Sequence, residues 1–354
     1  MTTLADRFRR HAGMMPDGLY HSLLQAMAAD WEAGGIVVEI CRDWADAAGS
    51  AVVQLRLLAG IQRLVLSGAE PQLAVYYPNL GGTASPDGAW QAFEPVLRRH
   101  VGELRAALEV APQTNEPGRS VPLLVGLFDA VRRSGLASVR LLELGASAGL
   151  NLLVDRFYIA GDGWSAGPES SPLRLTEAVL GPVSPVPFTV ADRRGCDLAP
   201  IDASTEEGRL RLTSFVWPHD LHRYERLRAA LRIAASHPVP VERASASSWL
   251  GSMLAGAGPD GVLTVVWHSI TRQYWPVAEI EATARVLAAA RDRMPLAHIA
   301  MESPVLRDDR SEGRREYQPT ELTVQLSVPG GAADPAPVLL GRVADHGVPV
   351  RLVS

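Results

Sequence analysis

Val139-Arg-Leu-Leu-Glu-Leu-Gly-Ala-Ser-Ala-Gly-Leu-Asn151 is the stretch that decides the fold. Val139 to Leu144 reads as an apolar strand. Gly145-Ala-Ser-Ala-Gly149 reads as a tight turn of small residues, and a helix is expected to start near Gly149. Glycines at both ends tolerate positive φ and let a ligand or another backbone come close. A parallel sheet places its ligands in the crevice at the carboxyl end of such a strand, and free N–H groups at a helix start attract polar or anionic groups.

The residues on either side differ in pattern. Upstream, helix-spaced apolar positions recur at Leu19, Leu23, Leu24, Met27 and Trp31, with a stop at Gly34-Gly35. Ala51 to Leu66 reads as a second helix. Asp87 stands where an N-cap would, and Trp90 to Leu108 reads as one long helix after it. Pro122 suits the first turn of a helix from Val121 to Arg133. Downstream, strands and helices alternate, which marks an α/β sheet. The expected strands are Phe188–Asp197, Val239–Val241, Gly261–Trp267 and Leu296–Met301. Gly161 to Pro187, rich in Gly, Pro and Ser, reads as an insertion. The tail, from Glu321, reads as antiparallel strands. The expected domains are a helical 1–135 and a sheet domain 136–354, with an insertion at about 161–187.

Composition narrows the function classes. A chain of 354 residues, 47% hydrophobic, can bury more than one core. Its net charge of −5, with Arg as the only basic residue besides His, gives no electrostatic footprint for nucleic acid and removes lysine chemistry. Cys41 and Cys196 alone make neither a disulfide framework nor a cysteine zinc site. The N-terminal residues lack the apolar core of a signal peptide, and no run approaches membrane-spanning length. A soluble cytoplasmic protein with a small-molecule substrate is expected, binding neither nucleic acid nor membrane. Oligomeric state is not legible.

The turn suits two chemistries. In a Rossmann-like S-adenosylmethionine site, Gly145, Ala146, Ser147, Gly149 and Asn151 lie against the cofactor. Glu143 meets its amino group, and a carboxylate at the end of the second strand takes the ribose hydroxyls. Asp197 is the choice for that carboxylate, with Asp192 and Asp220 as alternatives. In the other reading, Gly145-Ala-Ser147-Ala-Gly149 is the nucleophile elbow of an α/β-hydrolase, with Ser147 attacking and His346 as base. Asp260 or Asp292 would complete the triad, and Gly81-Gly82 the oxyanion loop. Topology favours the cofactor, because a hydrolase has several strands before its elbow and here helices precede it. A non-catalytic Rossmann-like binding protein is the third class.

The combination of Leu141-Leu-Glu-Leu-Gly-Ala-Ser-Ala-Gly-Leu-Asn151, Pro112-Gln-Thr-Asn-Glu116, Gly118-Arg-Ser120, Arg193-Arg-Gly-Cys-Asp197, Pro200-Ile-Asp202, Val216-Trp-Pro218 and His268-Ser269 resembles the bacterial domain-of-unknown-function family DUF2332. The resemblance covers nearly the whole chain. It implies a Rossmann-like S-adenosylmethionine methyltransferase fold in the second half; with the patterns read above, the expected class is α/β with an α-helical N-terminal domain and antiparallel C-terminal strands. It also implies that Ser245-Ala246 sits at the adenine, where relatives tend to carry Asp-Ala. A serine accepts a hydrogen bond there more weakly than a carboxylate.

Candidate catalytic residues follow the fourth strand. His268 is a candidate general base, since a histidine titrates near neutrality, and Tyr274 is a second catalytic candidate. Ser269, Arg272 and Gln273 would orient substrate, with Glu302 at the pocket edge. Gln113, Asn115, Glu116 and Arg119 crowd one loop and read as a lid over cofactor or substrate. Trp217-Pro-His219-Asp220 with His222 invites a metal, but no third ligand converges, so none is expected.

Overall fold

The computed structural model describes residues 3–304 and 319–353. Its helices before the first strand are α1 (Leu4–Ala12), α2 (Leu19–Glu32), α3 (Ile36–Cys41), α4 (Val53–Leu66), α5 (Ala89–Arg99), α6 (Val101–Leu108) and α7 (Ser120–Ser134). Then come β1 (Ser138–Leu144), β2 (Tyr158–Gly161), β3 (Trp164–Ala166), β4 (Arg174–Leu175), β5 (Val179–Leu180) and β6 (Thr189–Asp197). α8 (Glu206–Ser214) and α9 (Leu221–Ser236) lead to β7 (Val241–Arg243), α10 (Ala246–Met253), β8 (Val262–Ser269) and α11 (Val277–Arg291). β9 (Leu296–Glu302), β10 (Thr320–Ser327), β11 (Val338–Val343) and β12 (Val350–Leu352) follow. These form two compact units. One comprises residues up to Thr114 together with Thr205–Glu225. The other comprises Asn115–Ser204 and the chain from Arg226 onward.

The first unit is helical. Thr3 and Asp6 close a reciprocal capping box at the start of α1. Leu23, Leu24, Met27, Ile40, Leu57, Ile61, Phe93, Leu97 and Leu104 are fully buried in one core. α8 returns from far along the chain to pack on α4, where Arg63 and Glu207 pair at 2.6 Å. The helix expected from Trp90 to Leu108 is broken at His100, whose backbone leaves the helical region (φ −114°, ψ 26°). Its ring is held at both nitrogens, by Glu70 at 2.6 Å and Glu103 at 2.9 Å, and these bonds compete with straight continuation. Asp87 does not cap α5. Its carboxylate takes the Ser85 hydroxyl, and Gly88 (φ 74°) stands at the cap.

The second unit is a mixed α/β structure on a nine-stranded sheet of order β5-β12-β11-β10-β9-β8-β1-β6-β7. β7, β6, β1, β8 and β9 are parallel neighbours, whereas β10, β11 and β12 run antiparallel, as the tail pattern suggested. The residues read as an insertion contribute β3, β4 and β5. The first two join β2 in a small separate sheet, and β5 pairs with β12 at the outer edge. α7, placed by sequence in the N-terminal half, belongs to the sheet unit. Its apolar residues Val121, Leu123, Leu127 and Val131 are buried, and it packs along β8, β9 and β10.

α7 lies close against the sheet at Gly126, where an added Cβ would lie 2.6 Å from Ile299 Cγ2. Close packing leaves no slack for it. Gly126→Ala should therefore destabilise the protein by about 1–3 kcal/mol despite alanine's better helix propensity, as read by urea denaturation.

Candidate functional site

Strand order reverses at β1, with β6 on one side and β8 on the other, so a crevice is expected at their carboxyl ends. The turn that follows β1 is tightly wound. Gly145, Ser147 and Gly149 all have left-handed backbones (φ 70°, 55° and 73°). Consecutive N–H groups all find protein acceptors. Ala146 donates to the Cys196 carbonyl at 2.9 Å, Ser147 to Asp197 Oδ2 at 2.9 Å and Gly149 to the Ala146 carbonyl at 2.7 Å. Ala148 and Leu150 both donate to Asn115 Oδ1, at 3.2 and 2.8 Å.

This pairing corrects the expected helix start. Leu150–Arg156 is a 3₁₀ segment kinked at Leu153, not an α-helix. The donors that an anion would use are taken by Asn115, and Ser120 Oγ adds a bond to Asn151 Oδ1 at 2.9 Å. The loop read as a lid is thus divided. Gln113 lies in the helical unit, bonded to Arg211 at 3.2 Å. Asn115 to Arg119 are built into the sheet unit. Buried Glu116 accepts from Gly118 N and faces Arg226 at 3.8 Å, while Arg119 donates to the carbonyls of Asp345 and Ser269. Gly118 lies directly against the His346 carbonyl, with no room for a side chain.

The three candidate ribose acids separate. Asp197 is at the turn, and its Oδ1 also accepts from Ala199 N at 2.8 Å. Asp192 sits mid-strand between Arg140 and Arg194, and Asp220 lies in the helical unit. The Asp197 carbonyl takes Ala244 N at 3.1 Å, which fixes Ser245 and Ala246 next to it. Ser245 is the N-cap residue of α10 but makes no side-chain capping bond, and Ala246 is buried.

Glu143 is 2% exposed. Trp267 Nε1, directly across on β8, donates to its Oε1 at 3.2 Å, and the Asn151 side chain lies beside it. Its Oε2 is buried without a hydrogen-bond partner, as is Ser147 Oγ. Burial pushes the Glu143 carboxyl up to about 8, a rise opposed by Asn151, Trp267 and the charge of Arg119, and assisted by Asp197.

His268 follows Trp267 and so faces the opposite side of the sheet. It is buried, with Nδ1 2.7 Å from Glu302 Oε1, Nε2 2.9 Å from His298 Nε2, and the Trp275 ring at 5.5 Å. Burial works to raise the Glu302 carboxyl, but the bond and charge of His268 and the N–H groups of Arg272 and Thr271 outweigh it and hold Glu302 low. Burial, then the charges of His268, Arg291 and Arg272, hold His298 well below the usual histidine range. Tyr274, 61% exposed, and Gln273 lie in the 3₁₀ turn Arg272–Tyr274. The sequence reading missed His298. Its one signal is the i, i+2, i+4 alternation of His298, Ala300 and Glu302 along β9.

Trp217 and His219 pack ring to ring at 5.6 Å. No group of three His, Cys, Asp or Glu side chains among the described residues is arranged to hold a metal ion. No helix among those residues is long and apolar enough to cross a membrane.

Residues 5–351 match the family described as "Uncharacterized protein conserved in bacteria (DUF2332)", and the chain belongs to it. No curated protein and no solved structure matches the chain.

Asn115 is the test of how the turn is held. Asn115→Ala leaves two buried backbone donors unpaired, each costing about 1–3 kcal/mol. The expected result is a loss of about 2–5 kcal/mol in urea unfolding, far more than for an exposed asparagine.

Proposed function

We propose that this DUF2332 member is an S-adenosylmethionine-dependent methyltransferase of Rossmann-like fold acting on a small molecule, with the cofactor at the carboxyl end of β1. The parallel strands, counted along the chain, lie in the order 3-2-1-4-5, as in doubly wound nucleotide-binding sheets. The observation that carries the reading is Glu143, a buried carboxyl at the strand-order reversal with one oxygen unpartnered. Such a group is costly to the free protein unless a ligand uses it. An ammonium group is its natural complement, and the cofactor carries one.

The residues fit the group. Glu143 would accept from its amino group. Asp197 would take the ribose hydroxyls, since it ends the second parallel strand beside the turn and a carboxylate oxygen can accept more than one hydrogen bond. Ser147 Oγ, also unpartnered, and the Ser245 hydroxyl add polar contacts. Asn115 denies the turn's N–H groups to a phosphate, which favours a cofactor without one. When bound, S-adenosylmethionine supplies a methyl group activated for in-line displacement. The protein's part is orientation and exclusion of water. His268 has both ring nitrogens engaged, so a base for the substrate would come from the substrate itself or from another residue.

Ser147 shares its left-handed backbone with a nucleophile elbow, which keeps a hydrolase as a second reading. Its hydroxyl has no imidazole partner, which weighs against it.

Calorimetry with S-adenosylmethionine and S-adenosylhomocysteine tests the reading. Micromolar binding that weakens at least about tenfold in Glu143→Gln and Asp197→Ala is expected, the loss of one charge-assisted bond each. No binding, with Ser147 labelled by a fluorophosphonate, would establish the hydrolase instead. Binding without methyl transfer to any acceptor would leave a binding protein.

Glu143 also predicts a pH dependence in the free protein. Its carboxyl titrates at about 8 when folded against an ordinary 4.5. Between those values the folded chain keeps a proton that the unfolded chain releases. Stability from this group therefore falls as pH rises, by up to about 1.4 kcal/mol per unit. Glu143→Gln removes that slope, so its melting temperature should gain on the wild type between pH 5 and pH 8.

A further inference from the structure

The segment after β8 sits on the turn after β1. Thr271 packs its side chain against Gly145, leaving no room for a Cβ there. Ile270 N continues the strand pairing to the Met301 carbonyl at 2.9 Å and Arg119 holds the Ser269 carbonyl, but one side-chain atom fixes the turn that follows. Glu302 Oε1 accepts from Thr271 N at 3.0 Å and Arg272 N at 3.1 Å, as well as from His268 Nδ1 at 2.7 Å. Arg272 adds a bond to the Ser303 carbonyl at 3.0 Å. Against these bonds stands backbone strain. Ile270, a β-branched residue, is held at φ 48°, where only glycine is comfortable.

We propose that Ser269–Trp275 is a gate over the Gly145 turn, latched by Glu302 and sprung by Ile270, and that His268 with His298 serves the latch. His268 acts through Glu302 as a positioning residue, and His298 fixes its outer nitrogen. This role accounts for two buried polar side chains, His268 and Glu302, and the half-buried His298, which the cofactor reading leaves without work. It also accounts for the strain, because a strained segment whose turn is held chiefly by one side-chain acceptor has two states to choose between. The gate rests on the reading of the turn as a ligand site for its purpose, but its opening is measurable without a ligand.

The test is amide hydrogen exchange on the full-length protein, followed in peptides spanning 269–275 and 144–149. Hydrogen bonds to a charged acceptor make Glu302→Gln accelerate exchange by about tenfold or more in the first peptide. Because the gate covers the turn, the second peptide should accelerate with it, while a peptide from α7 stays unchanged. Ile270→Gly relieves the closed strain and should slow both peptides, an effect that simple loss of structure cannot produce. Acceleration confined to 269–275, or unchanged or faster exchange in Ile270→Gly, overturns the gate. If Glu302→Gln does not fold, Ile270→Gly decides alone. Stopped-flow association of S-adenosylhomocysteine is the separate arm, faster in Glu302→Gln and slower in Ile270→Gly. Equal association rates in all forms overturn the gate's control of entry. Absence of binding in every form overturns the cofactor reading, and the exchange data still decide the gate.

Discussion

Five consecutive backbone N–H groups, from Ala146 to Leu150, are satisfied by the protein itself. A buried donor without an acceptor is costly, so the turn exists only because Asn115 and Asp197 come to it from distant parts of the chain. Asn115 precedes α7, and Asp197 ends β6. Their side chains thereby join a helix start, a strand end and the turn between them. Asn151 and Ser120 extend the same network to Glu143 and so to Trp267 on β8. The polar interior at the carboxyl end of the sheet is one connected set, and Glu143 Oε2 and Ser147 Oγ are the atoms it leaves over.

The alternation of β8 separates two chemistries that look adjacent in sequence. Trp267 and His268 are neighbours along the chain, yet one serves the layer beneath α7 and the other the layer of α10 and α11. A linear motif around His268 suggested a single site facing substrate. The structure assigns the indole to Glu143 and the imidazole to Glu302 and His298.

Local pattern made much of the fold legible. The strand Val139–Leu144, its glycine turn, the later strands and the antiparallel tail are all matters of short-range periodicity. Asp197 was legible too, because it ends the second parallel strand. What failed depended on partners far away. The 3₁₀ segment after Gly149 follows from an acceptor at Asn115, and the break at His100 from a carboxylate at Glu70. α7 has the same helical pattern whichever unit it joins, and only Gly126 facing Ile299 betrays the choice. His298 carried no motif at all. Its importance comes from the neighbouring strand, where it pairs with Val266 and its ring reaches along to His268 Nε2.

The return of Thr205–Glu225 to the helical unit has a consequence for how the protein is made. A nascent chain released from the ribosome only as far as Ser134 holds α1 to α7 but lacks α8, the partner of α4. The helical unit cannot complete its packing until β1 through β6 have also emerged, so the two units mature together rather than in turn. For the same reason a cut in the β6–β7 connection, well outside the N-terminal helices, would strip the helical unit of part of itself.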